Sequence, residues 1–442
     1  THVINITDVG HLTDDADEGE DKMEKMAAER AQSIWDIAKH YTEAYWADVK
    51  ALNIRQPAQW TIATQFVPQM IEFAKSIADK HCYELDSGLY FDVGSVADYG
   101  RLARAQTDEG EGRIETVEGK RHAADFAIWR KTPPGEKRQM EWDSPWGKGA
   151  PGWHLECSVM SGQILGFPFD IHTGGIDHRE IHHPNEIAQN QAFCCTNSLD
   201  VAANSGARMW MHNNFLVERS GKMSKSSGEF LRLQLLIDKG YHPLAYRMMC
   251  LQAHYRSELE FSWEGLGAAL TRLKRLVMAV ENLKVRHAEL GSASIDQPAP
   301  WEQVEPWTLK QVQGDGVGKL APLLDKFDKA VADDLNTPIA LTVLEEALGA
   351  KKVDPAIKLR TLAAMDAVLG LNIFELSRAD LRIRPKSAMV DEVAISELME
   401  ARQFAREQKN FAQADEARRI LNEHGVEVMD GDPLGWDWKL DT

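Results

Sequence analysis

The stretch at 151–190 constrains the fold more than any other, because it combines strand, turn and helix-start signals with metal-binding side chains. Its apolar run FPFDI is followed by His-Thr-Gly-Gly at 172–175, which predicts a strand ending in a turn where the backbone can approach a ligand closely. Pro184 suits the first position of a helix, since it has no N–H to satisfy. These signals together predict a site at the C-terminal end of a strand in an α/β fold.

The same stretch contains a possible zinc site. Cys157, His182 and Glu186 offer a thiol, an imidazole and a carboxylate, all of which Zn²⁺ accepts. His182 and Glu186 are four residues apart, so they face the same way if a helix begins near Pro184. A buried cysteine is more commonly a small apolar side chain, and two histidines before a proline can belong to an ordinary helix cap. The spacing alone leaves both interpretations open.

Length, charge and cysteine usage bound the class of protein. The 442 residues correspond to about three domains of ~150 residues each, and 43% apolar content is ample for a core. A net charge of −18 argues against a nonspecific nucleic-acid coat or a binder of anionic membranes. The five cysteines follow no disulfide framework, and no apolar run reaches the roughly 18 residues of a membrane span. We therefore expect a reducing, cytoplasmic setting without a membrane partner.

The first part of the chain alternates strand and helix patterns. Residues 1–9 are a short β-branched run, and 22–52 and 65–80 carry apolar residues at helical spacing. Residues 83–93 alternate around Ser87-Gly88, which predicts a hairpin. This order predicts an α/β domain in which a small β-containing insertion begins at the hairpin.

An apolar run at 209–217 leads into a cationic loop, SGKMSKSSG at 220–228. Lys222 and Lys225 lie in a segment with four serines and two glycines, an arrangement suited to polyphosphate. Lysines in a loop that is free to close would stabilise the charge that develops on a pyrophosphate leaving group. A generic Lys/Ser loop would be weak support for this function.

The C-terminal half is predicted to be mostly helical. Residues 263–283 form an amphipathic stripe surrounded by basic side chains, which suits either a solvated face of a helical bundle or an RNA contact. Residues 291–318 and 377–387 resemble linkers, and 393–424 is predicted to be helical with a stop at Gly425.

The pentapeptide at 222–226, KMSKS, matches the second signature of class I aminoacyl-tRNA synthetases letter for letter. PGWHLECS, FDIHTGG, HHPNEIAQ, WMHNNFL, HYRS and DDLNTP also occur in the order found in one family of that class, the cysteinyl-tRNA synthetases. NITDV at the start and the helical tail extend the likeness over essentially the whole chain. By this collinear set of motifs the chain resembles the cysteinyl-tRNA synthetase family.

The resemblance implies an ATP-dependent ligase that activates L-cysteine as an adenylate and passes it to tRNA(Cys). Cys157, His182 and Glu186 correspond to three of the four protein ligands of the family's active-site zinc, one ion per chain, which binds the thiolate of the substrate. Trp153 resembles the indole that closes the cysteine pocket. Because zinc binds sulfur far better than a hydroxyl, serine would be rejected by a missing bond.

The resemblance also implies the nucleotide end of the site. Gly174, Gly175 and Asp177 correspond to the turn that faces ATP. Lys222 and Lys225 correspond to the catalytic lysines that contact its phosphates, and Mg²⁺ is expected to accompany ATP.

The implied fold is a class I, Rossmann-like parallel-sheet catalytic domain with a small inserted domain, then an α-helical bundle and a C-terminal anticodon-binding domain. The tryptophans of the tail, Trp436 and Trp438, would suit unstacked bases of an anticodon loop, although such tails also cap domains. The predicted boundaries are 1–84 and 151–228 for the catalytic domain, 85–150 for the connective insertion, 229–262 for a stem-contact junction, 263–376 for the bundle and 388–442 for the anticodon-binding domain.

Two departures from the family pattern are visible. Pro184 replaces a glutamate that is not a metal ligand, which the helix-start argument makes benign. The family's fourth zinc ligand, a cysteine, and its HIGH-type motif lie upstream of the NITD strand with which this sequence begins. We expect the working polypeptide to extend upstream of Thr1 and the catalytic domain to be truncated at its start in the sequence given.

Two other functions stay open. One is a ligase of the same ancestry that joins cysteine to an aminosugar, a branch without the anticodon-binding end. The other is a noncatalytic zinc-binding RNA module, against which the intact KMSKS loop argues, since a chain that does not use ATP has little need of it. For the cysteinyl-tRNA synthetase interpretation we expect the protein to be a monomer.

Overall fold

The computed structural model describes residues 1–9, 33–103, 118–194, 198–218, 232–289 and 318–440. The chain divides into two units, the first comprising Thr1–Ala47 and Arg55–Phe215 and the second Asp48–Ile54 and Leu216–Thr442. Over the described ranges, no helix combines the length and the apolar character that crossing a membrane requires.

The first unit alternates strands and helices. In chain order its elements are β1 (Val3–Ile6), α1 (Ile34–Ala51, which ends in the second unit), β2 (Gln59–Ile62), α2 (Val67–His81), β3 (Cys82–Leu85), β4 (Gly88–Phe91), β5 (Phe126–Lys131), β6 (Gly149–Pro151), α3 (Trp153–Leu165), β7 (Phe169–Gly175), α4 (His182–Phe193), α5 (Ala202–Ser205) and β8 (Ala207–Asn213). β1 pairs in parallel with β2, and β7 pairs in parallel with β8. Parallel pairs connected through helices confirm the predicted α/β class.

The inserted β-structure is an antiparallel sheet with strand order β3-β4-β5-β6. Its first hairpin turns at Asp86-Ser87, one residue before the predicted Ser87-Gly88, and Gly88 begins β4. Gly88 has a φ of 153°, and a Cβ at this position would lie 2.0 Å from the carbonyl oxygen of Trp129. The first residue of β4 must therefore be glycine for this strand to pair closely with β5.

Packing in the first unit follows the predicted helical spacing. α2 buries one face, formed by Val67, Met70, Phe73, Ala74 and Ile77. Trp129 of β5 is fully buried, and its indole N–H donates to the carbonyl of Gly147 at 3.1 Å. Burial of such side chains contributes roughly 2–3 kcal/mol each. α1 begins at Ile34, whereas the periodicity predicts a start at residue 22; residues 10–32 lie outside the described part.

The second unit is largely helical. Its elements are β9 (Leu216–Glu218), α6 (Leu233–Asp238), α7 (Pro243–Leu251), β10 (Leu259–Phe261), α8 (Trp263–Glu289), α9 (Ala321–Ala332), α10 (Thr337–Gly349), α11 (Pro355–Leu369), α12 (Glu392–Glu407), α13 (Phe411–Glu423), β11 (Val426–Val428) and β12 (Trp436–Trp438). α8 buries the stripe that begins with Leu266, Ala269, Leu270 and Leu273, which confirms the predicted amphipathic helix. β11 and β12 form an antiparallel hairpin after α13.

The segment predicted as one helical stretch at 393–424 is two helices. α12 ends at Glu407, Lys409 has a left-handed backbone with φ 55°, and the Asn410 side chain accepts a hydrogen bond from the backbone N–H of Gln413. Asparagine is a favoured N-cap because its oxygen satisfies an N–H in the first turn of the next helix. The chain therefore turns here without a glycine or proline.

The segment predicted as a linker at 377–387 contains no helix or strand, but part of it is buried. Arg378 is 2% exposed and Leu381 is fully buried. Serine, proline and charged residues give this segment the composition of a linker, but three of its residues are buried in the second unit: Arg378, Leu381 and Pro385.

Candidate metal centre

The first unit gathers a group of buried metal-binding side chains, which we call the Cys157 cluster: Cys157, His182 and Glu186. The potential ligand atoms of the three residues all lie within 4.8 Å of one another. Cys157 comes from α3, and the other two lie one turn apart on α4. The structure thus brings together the three ligands predicted from the sequence.

α3 starts close to the insertion sheet because Gly152 precedes it. A Cβ on Gly152 would lie 1.9 Å from the carbonyl oxygen of Ala127, so only glycine allows this approach. Trp153 begins the helix and lies one turn before Cys157. Its ring centroid is 4.4 Å from that of His182, so the indole forms a wall of the Cys157 cluster.

α4 begins at His182, two residues before the predicted start at Pro184. The prediction placed proline at the first helical position, but proline is tolerated throughout the first turn because those N–H groups have no partner within the helix. The first backbone bond across this turn runs from the N–H of Asn185 to the carbonyl of Ile181. His182 and Glu186 still share a face of the helix, as expected from their spacing.

The orientation of each ligand is set by its neighbours. The Nδ1 atom of His182 is 2.8 Å from the Nδ1 atom of His154, which leaves Nε2 facing Glu186 at 3.1 Å from Oε1. The side-chain amide of Asn5, on β1, donates to the sulfur of Cys157 at 3.3 Å. Partners of this kind fix the rotamer and tautomer of a metal ligand.

Burial and charge perturb the acid–base chemistry of the cluster. Burial, together with the neighbouring Glu186 and Glu156 carboxylates, raises the pKa of the Cys157 thiol well above its usual range. Burial alone would also raise the pKa of Glu186, but the charge of His172 and contact with His182 hold it well below its usual value. A cation shared by the thiol and the carboxylate would oppose the first effect and reinforce the second.

These residues fit a zinc ion. Tetrahedral ligands with bonds of 2.0–2.1 Å are separated by about 3.3 Å, close to the 3.1 Å between His182 Nε2 and Glu186 Oε1. His172 Nε2 lies 3.4 Å from the same oxygen, yet Glu186 Oε1 accepts no well-aligned hydrogen bond from the described residues. A buried carboxylate oxygen that faces imidazole nitrogens in this way suits a bound cation.

A second group of ligand atoms shares Glu186 with the first and was not predicted. His172, His183 and Glu186 also lie within 4.8 Å of one another. His183 Nδ1 is 2.8 Å from His212 Nε2. Burial, with the positive charges of His172, His182 and His212, lowers the pKa of His183 to about 2, although Glu186 opposes the shift. The adjacent histidines at 182 and 183 were a visible signal, but only the fold shows that His212 of β8 is their neighbour.

The glycines predicted to face a nucleotide lie at the end of β7. A Cβ on Gly174 would be 2.7 Å from the ring of His183, and one on Gly175 would be 2.3 Å from Asp177 Oδ1. A side chain at Gly174 would therefore displace the buried ring of His183, whereas one at Gly175 would meet only the end of the Asp177 side chain. Lys222 and Lys225 lie outside the described residues.

Two family models match the chain. Residues 1–271 match the class I (C) tRNA synthetase catalytic domain, and residues 393–433 match the cysteinyl-tRNA ligase anticodon binding domain. The first match spans both the Cys157 cluster and the KMSKS segment.

Relatives align over nearly the full chain. A cysteine–tRNA ligase of Novosphingobium aromaticivorans is 75% identical over 440 residues, covering 100% of this chain and 85% of that protein. A cysteine–tRNA ligase of Zymomonas mobilis is 54% identical over 457 residues, covering 99% of this chain and 86% of that protein. Among solved structures, the methionyl-tRNA synthetase of Mycobacterium tuberculosis with bound methionyl-adenylate has a TM-score of 0.47 at 13% identity, covering 81% of this chain and 80% of that chain.

Proposed function

The chain belongs to the cysteine–tRNA ligase family of class I aminoacyl-tRNA synthetases, and from this premise we propose that the Cys157 cluster holds the zinc ion that selects cysteine. The activity is the ATP-dependent ligation of L-cysteine to tRNA(Cys). The observation that carries the zinc assignment is the convergence of three buried ligand atoms of different chemistry within 4.8 Å.

When bound, zinc supplies a Lewis-acidic centre that favours the thiolate of substrate cysteine over a hydroxyl. The residues around it hold the ligands in place. His154 fixes the ring of His182, and the amide of Asn5 donates to the Cys157 sulfur, which favours its thiolate form. Selectivity against serine would then depend on the bond between zinc and the substrate sulfur, which a hydroxyl oxygen makes poorly. Loss of such a bond discriminates more strongly than the difference in size between sulfur and oxygen.

Trp153 is proposed to close the cysteine pocket. Its indole packs against the rings of His182 and His178, at centroid distances of 4.4 and 5.7 Å. A large rigid side chain at the edge of the cluster would exclude water from the thiolate and limit the size of the amino acid.

The nucleotide end of the site is proposed to include the β7 turn and the KMSKS loop. Gly174 and Gly175 leave the backbone at the end of β7 uncovered by side chains of their own, and Asp177 follows two residues after Gly175. Lys222 and Lys225 would neutralise the charge that grows on pyrophosphate as the adenylate forms, with Mg²⁺ accompanying ATP.

The C-terminal region is proposed to contact the anticodon of tRNA(Cys), as the match at 393–433 supports. A ligase of the aminosugar type lacks such a region, and a noncatalytic module would not need the KMSKS segment. The boundaries predicted from the sequence, with a connective insertion at 85–150 and a helical bundle at 263–376, stay part of this proposal. So do a cytoplasmic setting and a monomeric state.

Cysteine-dependent exchange between ATP and pyrophosphate tests the first half-reaction, and charging of tRNA(Cys) tests the second. The proposal predicts that exchange with cysteine greatly exceeds exchange with serine, and that a chelator abolishes this preference until zinc is restored. A preference that survives complete removal of the metal would contradict the zinc assignment while leaving the ligase activity intact.

A further inference from the structure

The second unit contains a buried group of opposite charges, which we call the Arg378 cluster: Lys274, Arg378, Asp432 and Asp437. The guanidinium of Arg378 donates from Nε to Asp432 Oδ2 at 2.7 Å and from Nη2 to Asp437 Oδ2 at 2.5 Å. The ammonium of Lys274 bonds to the same oxygen of Asp437. Relative exposures of 2% for the Arg378 side chain and 6% for that of Asp437 show that these charges are largely removed from water.

The four residues come from three parts of the second unit. Lys274 lies on α8, Arg378 lies in the segment between α11 and α12, and the aspartates lie at the end of the chain around β12. The backbone N–H of Arg378 also donates to Glu281 of α8 at 3.4 Å. The Arg378 cluster thus connects both the segment between α11 and α12 and the terminal hairpin to the long helix α8.

Further contacts along the connecting segment reinforce this attachment. The guanidinium of Arg382 lies 3.8 Å from the ring centroid of Trp436, within the range of a cation–π interaction. The guanidinium of Arg384 lies 5.7 Å from the ring centroid of Trp438. The segment therefore contacts the hairpin beyond its single buried arginine.

Buried charges favour one geometry strongly, because any rearrangement that separates the partners leaves a charge unpaired in a poorly solvated place. A guanidinium with two carboxylate partners is also directional, since its donors have a fixed planar arrangement. An apolar interface of the same area would hold the parts together but would tolerate a change of angle more readily. The Arg378 cluster is thus suited to defining an orientation.

We propose that Arg378 is a positioning residue that fixes the anticodon-binding region on α8, so that tRNA meets a preformed surface. This inference rests on the assignment of tRNA as substrate and is independent of the zinc assignment. A tRNA contacts a synthetase through both its acceptor and anticodon ends, so a freely moving anticodon region would lower the effective concentration of the second contact. Loss of this order should weaken tRNA binding and leave adenylate formation unchanged.

The test compares Arg378→Met with Lys386→Met, which removes a positive charge from the same segment at a side chain that is 80% exposed. For Arg378→Met we expect the KM for tRNA to rise on the order of tenfold, with kcat for charging and the rate of pyrophosphate exchange each within twofold of the parent. Lys386→Met should match the parent in all three. An unchanged KM for tRNA in Arg378→Met would overturn the proposal, and so would an equal loss of charging and exchange.

A second variant separates orientation from stability. Arg378→Met leaves two buried carboxylates facing Lys274 alone, whereas the double variant with Asp432→Asn restores the charge balance but not the bridge. We expect the double variant to regain most of the parent's thermal stability while the KM for tRNA stays raised. Recovery of KM together with stability would mean that the cluster serves folding only. Because the double variant is balanced, it also decides the question if Arg378→Met alone does not fold.

Discussion

The two units of the chain each bury ionisable side chains, and they compensate the charge in different ways. In the Arg378 cluster, a guanidinium and an ammonium face two carboxylates, so the protein supplies both signs of charge. In the Cys157 cluster, a thiol, an imidazole and a carboxylate converge, and the carboxylate oxygen accepts no well-aligned hydrogen bond in the described residues. The first cluster is balanced in charge as folded, although Arg378 Nη1 is buried without a hydrogen-bond partner among the described residues. The second is suited to a cation from outside the chain.

The comparison explains why we propose different functions for the two clusters. A group that is balanced internally gains stability and a defined geometry from its own bonds, and it needs no added ion to neutralise its charge. A group made of electron-pair donors is stabilised fully only when a metal ion binds, so its folding and its ligand binding are coupled. Metal removal should therefore affect one cluster and not the other.

The largest effect is expected for Glu186→Gln, which removes the carboxylate of the Cys157 cluster while keeping its shape. The variant should lose its zinc, and cysteine-dependent exchange should fall about a thousandfold or more, since a metal ion supplies several kcal/mol of charge stabilisation. Elemental analysis and exchange kinetics measure the two effects. The control is Glu180→Gln, in the same stretch but 41% exposed and bonded only to Arg179 among the contacts described. Zinc retained in Glu186→Gln would remove this residue from the ligand set.

A loss of stability is expected for Asp437→Asn, which breaks the Arg378 cluster. Removing one partner of a buried pair should lower the free energy of unfolding by about 3 kcal/mol, measured by urea titration. The zinc content should not change. The matched control is Asp325→Asn, whose ion pair with Lys329 is exposed on both sides and should be worth less than about 0.5 kcal/mol. If the free energy of unfolding falls equally in both variants, burial does not make the ion pairs of the Arg378 cluster more important for stability than an exposed pair.

Lys225→Ala tests the catalytic step separately from the two buried clusters. We expect the rate of adenylate formation to fall about a hundredfold, or roughly 3 kcal/mol, because the ammonium acts mainly when charge grows on pyrophosphate. The affinity for cysteine and the zinc content should stay at the parent's values, as measured by equilibrium binding and elemental analysis. A loss confined to cysteine affinity would instead place Lys225 beside the amino acid.

The smallest effect concerns Asp366, a carboxylate of the second unit that is held by backbone donors. It accepts from the N–H groups of Leu371 and Ile373 at 3.0 and 2.9 Å. Burial outweighs these bonds and the charge of Arg247, and it raises the pKa of Asp366 from 3.8 to about 6. The folded state then binds the proton more tightly, so stability falls as the pH rises from about 4 to about 6.

Between pH 5 and pH 7 the free energy of unfolding of the parent should fall by about 1 kcal/mol relative to Asp366→Asn. Urea titrations of both proteins at each pH isolate this group, since their other titrating side chains are the same. The contrary outcome is a difference in the free energy of unfolding between the two proteins that stays constant with pH, or that grows in the parent's favour as the pH rises. Either result would show that folding does not raise the pKa of Asp366.

The sequence predicted the convergence of Cys157, His182 and Glu186 better than it predicted the parts around them. Cys157, His182 and Glu186 were recognisable because their chemistry and spacing are constrained within one short stretch. His183 and His212 were missed as a pair, because their contact depends on the parallel pairing of β7 with β8 and on the position of α4 beside them. Contacts between distant elements leave no periodic signal in a single sequence.

The helical half shows the same limit. The buried apolar face of α8 was predictable, since the spacing of apolar residues along a helix indicates which face is buried. The segment at 377–387 has the polar composition of a linker. Its Arg378 is nevertheless buried and bonded to two aspartates that lie more than fifty residues later in the chain. The break between α12 and α13 has a signal in Asn410, whose capping role is visible only once the neighbouring Lys409 is known to adopt a positive φ.

The central claim is that Cys157, His182 and Glu186 hold one zinc ion, and cobalt substitution with elemental analysis tests it most directly. The parent should contain about one zinc per chain, and its Co²⁺ form should show the near-ultraviolet absorption band of a thiolate bound to the metal. Cys157→Ser should lose that band and most of the metal while its far-ultraviolet circular dichroism stays that of the parent. A folded Cys157→Ser protein with full metal content and an unchanged band would contradict the account.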